Sequence, residues 1–305
     1  MKATTKMRQL LEAQSFVHLG PSFDCLSAAV ARDAGFKALH ISGMCVEATQ
    51  LGCPDMGLST MTEFANHVAH ITNTTDLPCI ADIDTGWGNV VNLQRTIHEM
   101  ERAGLAGVHL EDQPTPKKCP AMDGRSVVSR SEAVGKIKAA LSARSDPDFI
   151  IIARSDADTV SYDELIYRLN LYLDAGADAV MHGGIVELTK GLPPAQQMDI
   201  LARVARNVHG PLMGVWIPRG YTVKDMAEAG YKMYLSASET FIAAYFAMKE
   251  VIKETFEKGT CIDYMAKHHP GFDYDTWIVP MWDTLGYQKF IEIEKDFQAE
   301  CRKEY

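Results

Sequence analysis

Short apolar runs alternate with longer amphipathic ones along most of the chain. Val17–Gly20, Ala38–Ser42, Cys79–Asp84, Gly107–Glu111, Phe149–Arg154, Asp178–His182, Leu212–Trp216 and Met233–Ser236 read as strands buried on both faces. Between them, apolar residues recur at helical spacing near Asp24–Ala34, Thr60–Asn73, Val91–Ala103, Ser131–Ala143, Tyr162–Asp174, Pro194–Val208 and Thr222–Ala229. Thr60 with Glu63, Ser129 with Glu132 and Ser161 with Glu164 have the spacing of capping boxes. Gly35, Gly104, Gly176 and Gly230 close helices before the next strand. Strand–helix repeats of this kind predict an α/β fold, the (β/α)8 TIM barrel. An open doubly wound sheet would open on a glycine-rich turn. Here the first turn is Gly20-Pro21-Ser22-Phe23-Asp24, without the G-x-G-x-x-G pattern.

The eighth helix falls at Glu239–Lys258. We read residues 1–305 as one barrel domain, with 260–305 as a C-terminal helical extension whose last pattern covers Trp282–Tyr305. A barrel needs no such tail. Its Trp277, Ile278, Val279, Met281, Trp282, Leu285, Phe290 and Ile291 require cover, and a subunit partner is one answer.

Composition narrows the functional classes. Apolar content of 47% and charged content of 23% are ordinary for a globular enzyme. The net charge of −10, with no basic tract or face, argues against nucleic acid and anionic membranes as partners. The seven cysteines are odd in number, irregularly spaced and free of C-x-x-C, which predicts reduced thiols and a cytoplasmic setting. The N-terminus has no hydrophobic signal core, and no apolar run approaches the roughly 18–20 residues a membrane span needs.

Chemistry gathers where such barrels carry it, at the C-terminal strand ends. These are Ser42-Gly43-Met44-Cys45, Asp82 with Asp84, Glu111-Asp112, Arg154-Ser155-Asp156 and His182-Gly183-Gly184. On the third strand, read as Cys79–Asp84, Asp82 and Asp84 are two apart and share a face. Packing both under a helix would bury two unpaired ions, so the barrel mouth is their expected place. Carboxylates from adjacent strands suit a hard divalent cation, Mg2+ or Mn2+, rather than zinc. The bland alternatives are a solvated loop or a carboxylate pair with Arg154.

The run Asp82-x-Asp84-x-Gly86-Trp87-Gly88-Asn89, then Glu111-Asp112-Gln113, Pro116-Lys117-Lys118-Cys119 and Ala153-Arg154-Ser155-Asp156-Ala157, resembles the isocitrate lyase / phosphoenolpyruvate mutase superfamily. Ser42-Gly43 through Leu51-Gly52-Cys53-Pro54-Asp55-Met56-Gly57 matches as well. The resemblance implies Mg2+ held by Asp82 and Asp84, with Glu111 helping through water. It also implies that Ser42, Gly43, Met44 and Arg154 grip a pyruvate-like carboxylate, with Asp55 near the metal. Cys119 takes the place of the lyase acid that protonates the carbanion, with Lys117 and Lys118 expected to favour its thiolate. A homo-oligomer, a dimer of dimers (homotetramer) with swapped C-terminal helices, is implied too.

Departures shape the expected substrate. The lyase signature Lys-[Lys/Arg]-Cys-Gly-His reads Lys117-Lys118-Cys119-Pro120-Ala121 here. Gly183 stands where methylisocitrate lyases have glutamate, Val215 where they have asparagine, and His40 where they have tyrosine. More apolar lining is therefore expected, with Trp87 and Trp216 as candidates. His182 resembles the phosphonate branch, where a histidine contacts the phosphoryl end, but that branch's Lys-Thr-Asn loop is absent. His109 reads as structural or surface. The expectation is a Mg2+-dependent carbon–carbon lyase cleaving a substituted 2-hydroxy di- or tricarboxylic acid into a 2-keto acid and a second carboxylate. Cys119, Lys117 and Arg154 are its catalytic candidates, and His40, Asp55 and Glu111 its candidate bases. The alternatives are a phosphonopyruvate or phosphoenolpyruvate mutase or hydrolase, an oxaloacetate hydrolase or decarboxylase, and a non-catalytic barrel.

Overall fold

Parallel strands run in chain order around a closed barrel of eight in a computed structural model that describes residues 1–271, 273 and 275–298. The order is α1 (Ala3–Ala13), β1 (Val17–Ser22), α2 (Cys25–Asp33), β2 (Leu39–Ile41), α3 (Gly43–Gln50), α4 (Met61–Thr74) and β3 (Cys79–Asp82). It continues with α5 (Val90–Arg102), β4 (Gly107–Glu111), α6 (Arg130–Ala143), β5 (Ile150–Ser155), α7 (Tyr162–Asp174), β6 (Ala179–His182) and the short α8 (Val186–Thr189). Then come α9 (Pro194–Asn207), β7 (Leu212–Gly214), α10 (Val223–Ala229), β8 (Met233–Leu235), α11 (Glu239–Lys258), α12 (Ile262–His268), α13 (Val279–Thr284) and α14 (Tyr287–Gln298).

The TIM barrel expected from the alternation is the observed fold. β4, α7 and α11 coincide with their expected ranges, and most other ends differ by a residue or two. Capping explains several helix starts. Thr60 and Glu63 form a reciprocal box at α4, and Asn89 accepts from Val91 N and Asn92 N at α5. Ser129 and Ser161 also accept from the backbone of Glu132 and Glu164. The Glu164 carboxylate instead takes Arg130 and Arg168, so that second pair caps in one direction only.

Alternation along the strands sets the layers. Leu19, Ile80, Ile150, Ile152, Met181, Met213, Met233 and Leu235 form an apolar cluster that fills the barrel. The intervening residues, such as Leu39, Ile41, Ala81, Val108, Leu110, Ile151, Ala153 and Val180, pack outward against the helices.

The chain divides into two compact units, Met1–Glu239 and Thr240–Tyr305. In the second, no described residue of α11 to α14 is buried, and Ile242, Tyr245, Phe246, Ile252, Phe256, Trp282, Phe290 and Phe297 are exposed. Residues 299–305, and with them the end of the helix expected to reach Tyr305, lie outside the described residues.

Candidate active site

Directly above the apolar filling, the inward positions turn polar. On β3 the inward face runs Ile80 then Asp82, and on β5 it runs Ile152 then Arg154. His109 and Glu111 occupy the same face of β4, because they are two residues apart and opposite in phase to Val108 and Leu110. His40 on β2 completes the ring, with its Nε2 3.0 Å from His109 Nε2. All five side chains are buried.

The carboxylates are arranged around two cations. Arg154 lays Nε and Nη2 on Asp156, at 2.8 and 3.1 Å. Its Nη1 points away from that fork, 3.0 Å from Glu111 Oε2 and 3.9 Å from Asp82 Oδ2. Lys117 donates to Asp55 and lies 2.8 Å from Asp84 Oδ1. Asp84 reaches the cluster by a route other than the expected one. β3 ends at Asp82, and Asp84 adopts φ 48° in a turn closed by Asp84 N donating to Asp82 Oδ1 at 3.0 Å. The two aspartates meet through an Asx-type turn, not through strand alternation.

Burial and charge divide the protonation states. Burial pushes the Asp84 carboxyl up to about 7, with the Asp82 charge adding to it against the pull of Lys117. Glu111 is raised well above the carboxylate range by burial, opposed by Arg154. Burial would also raise Asp82, but His109, Lys117 and Arg154 outweigh it and hold Asp82 below the usual range. Burial pushes His40 down to about 3 and His109 to about 4, so both rings are neutral near pH 7. One ring Nε2 must then donate to the other. His109 Nδ1 sits 3.5 Å from Asp82 Oδ1.

α3 brings its N-terminus to the same place. Ser42 caps it, and a Cβ on Gly43 would lie 3.3 Å from Asp82 Cγ. The unpaired first-turn N–H groups of Gly43 and Met44 therefore stand beside the carboxylates, a natural anion site. The segment after β4 supplies Lys117 and Cys119. Burial, with the Asp55 carboxylate nearby, raises the proton affinity of the Cys119 thiol. This corrects the expected thiolate: Lys117 is spent on Asp55 and Asp84, and the Lys118 ammonium approaches Gly124. The shift favours the thiol, the form a proton donor needs, over the thiolate.

Three expectations fail in placement. His182 shares the outward phase of Ser155, not the inward phase of Arg154. Gly184 N donates to its Nδ1, and its Nε2 lies 2.9 Å from the Tyr231 hydroxyl in the helix layer. As a substrate-binding residue it is displaced by that packing. The Trp87 indole donates to Ser59 O at 2.7 Å and packs on Phe64, and Trp216 packs in the outer cluster, so neither is free lining. Gly183 cannot carry a larger side chain, because a Cβ there would fall 2.3 Å from Asp156 Oδ1. His109, read as structural, belongs to the ring; its spacing of two from Glu111 was the available signal.

A divalent cation can be tested against this geometry. Among the described residues no group of three or more His, Cys, Asp or Glu side chains is placed to hold a metal ion by itself. Yet Glu111 Oε1 is buried without a partner, and Glu111 Oε2 and Asp84 Oδ1 face only the Arg154 and Lys117 cations, outside hydrogen-bond geometry. Such orphaned carboxylate oxygens fit a hard cation held by one or two carboxylates, with water and substrate oxygens completing its shell.

The closed barrel, with an acid ring and a helix N-terminus at its rim, suits an enzyme that steadies developing negative charge. The chain belongs to the phosphoenolpyruvate phosphomutase family, whose model matches residues 7–256. It is similar to 2-methylisocitrate lyase of Aeropyrum pernix, 34% identical over 93% of this chain and 87% of that one. It is also similar to 2,3-dimethylmalate lyase of Eubacterium barkeri, 39% identical over 80% and 78% respectively. Among solved structures, a phosphonopyruvate hydrolase complex with oxalate and Mg2+ superposes with a TM-score of 0.81 at 26% identity, covering 97% of this chain and 99% of that one. The chain is a carbon–carbon lyase of the methylisocitrate lyase-like branch.

Proposed function

We propose that the chain cleaves a substituted 2-hydroxy di- or tricarboxylic acid into a 2-keto acid and a second carboxylate, with Mg2+ or Mn2+ bound at Asp82 and Asp84. The observation that carries this reading is the convergence of Asp82, Asp84, Glu111 and Arg154 at one barrel rim, with the Lys117–Cys119 segment beside them. The cation, when bound, supplies Lewis-acid attraction for the 2-oxygen and the adjacent carboxylate. Arg154 Nη1 and the first N–H groups of α3 hold that carboxylate from the other sides. Glu111, as the carboxylate that Arg154 faces through Oε2, accepts the hydroxyl proton directly or through water at Oε1, which has no other partner. The carbon–carbon bond then breaks, its electron pair passes to the departing carboxylate fragment, and Cys119 Sγ gives that fragment a proton. Lys117 offsets the negative charge beside the thiol.

The exposed apolar residues of α11 to α14 support a homo-oligomer, which we assign as a dimer of dimers with exchanged C-terminal helices. The test of function is a screen of 2-hydroxy di- and tricarboxylates, with release of pyruvate or glyoxylate as the readout. Turnover should need a divalent cation and stop with EDTA. Release of phosphate from phosphonopyruvate, with no cleavage of any hydroxy acid, would replace this reading with the hydrolase one.

A further inference from the structure

The loop between α3 and α4 carries Asp55, yet nothing in regular secondary structure holds it in place. A single buried side chain does. Glu47 on α3 is 1% exposed, and its carboxylate accepts three backbone N–H groups of that loop. Oε2 takes Met56 N at 3.0 Å and Gly57 N at 3.2 Å, and Oε1 takes Ser59 N at 2.7 Å. On the far side the loop is tied by Ser59 O, which accepts from the Trp87 indole. Its inner side lies on the catalytic segment: a Cβ on Gly57 would meet Lys117 Cγ at 3.3 Å. Asp55, adjacent to the pinned residues, accepts from Lys117, two residues before Cys119.

We propose that Glu47 is a positioning residue: its carboxylate fastens the 56–59 loop to α3 and so sets where Asp55 holds Lys117 and, with it, the segment that carries Cys119. The assignment rests on the proposed role of Cys119 as proton donor. The same α3 presents its Gly43–Met44 turn to Asp82, so Glu47 ties the grip on the carboxylate to the group that returns the proton. Three donors converge on two carboxylate oxygens. A glutamine offers one acceptor and two donors of its own, so Glu47→Gln forces donor against donor with almost no change in shape.

The test compares wild type, Glu47→Gln and Trp87→Phe as full-length protein in two assays. One is steady-state turnover. The other is the rate of Cys119 alkylation by iodoacetamide, followed by peptide mass, which needs no substrate. Loosening the loop should raise Cys119 alkylation about tenfold in Glu47→Gln and lower kcat by about ten- to a hundredfold, with KM changed far less. Trp87→Phe, which frees only the outer tie, should move both readouts the same way by a smaller factor. A purely structural Glu47 would lower the melting temperature of Glu47→Gln while leaving alkylation rate and kcat at wild-type values, and that result overturns the proposal. Should Glu47→Gln not fold, an unchanged alkylation rate in Trp87→Phe overturns it equally. Faster alkylation in Glu47→Gln, with a wild type that cleaves no hydroxy acid, is a separate failure, of the proposed reaction and not of the loop's anchor.

Discussion

Two buried ion clusters lie side by side in this barrel, and they differ in how completely they are satisfied. Behind β5, Asp112 accepts from Ser155 Oγ, Arg168 Nη1, Tyr172 OH and Asp156 N, at 2.7, 3.1, 2.6 and 2.9 Å. Arg168 also reaches Glu164 and Val128 O, and none of these four side chains leaves a buried polar atom without a partner. In front, Asp84 and Glu111 keep orphaned oxygens although charged groups stand within ion-pair distance. The back cluster is a finished internal network that fixes Asp156, and through it Arg154. The front cluster is unfinished, and an unfinished buried polar site in a folded protein implies something that completes it. Stability is stored behind the strands and reactivity in front of them.

Substitutions can break that contrast. Cys119→Ser should lower turnover by about 10²–10⁴-fold, the usual range for loss of a positioned proton donor, with the urea midpoint unchanged; kinetics paired with denaturation checks both halves. Asp112→Asn should do the reverse. It removes the charge that holds Arg168 and should cost about 3–5 kcal/mol in urea unfolding. Tyr172→Phe deletes one donor to Asp112 and should cost about 1–1.5 kcal/mol by the same measurement. A back-cluster variant that loses activity at full stability would erase the distinction.

A smaller effect sharpens it through pH. An unfolded histidine takes its proton near about 6.5, whereas burial holds His182 down to about 4. Between those values the unfolded chain binds one more proton than the folded chain does. His182 therefore favours folding fully above about pH 6.5, and its contribution falls by about 1.4 kcal/mol per pH unit as pH drops toward the folded value. Unfolding measured from pH 7 to 4.5 should show a shallower loss in His182→Asn than in wild type. Equal slopes would mean that the ring meets solvent.

The fold was legible because parallel strands covered on both faces announce themselves as apolar runs, and because β4 and α7 carry clean boundaries. The site was legible as a list of strand ends. What escaped was phase. His182 ends a strand as Arg154 nearly does, but one residue of phase sends it outward to Tyr231. His109 was passed over although it shares the face of Glu111. Asp84 was placed correctly for a reason that fails, since the strand stops at Asp82. The protonation of Cys119 depends on which acids claim Lys117, a matter of tertiary distance that spacing along the chain does not encode. Glu47 has no motif around it, and its three backbone donors lie across a loop.

The claim that the front cluster awaits a cation and a short keto acid is tested most directly by thermal unfolding with Mg2+, oxalate, both and neither. Binding to the folded state alone stabilises it by about 2.7 kcal/mol at a hundredfold excess over Kd. The account predicts a clear rise in Tm with both together, little with oxalate alone, and none for either in Asp84→Asn. A wild-type Tm that stays constant under all four conditions would contradict it.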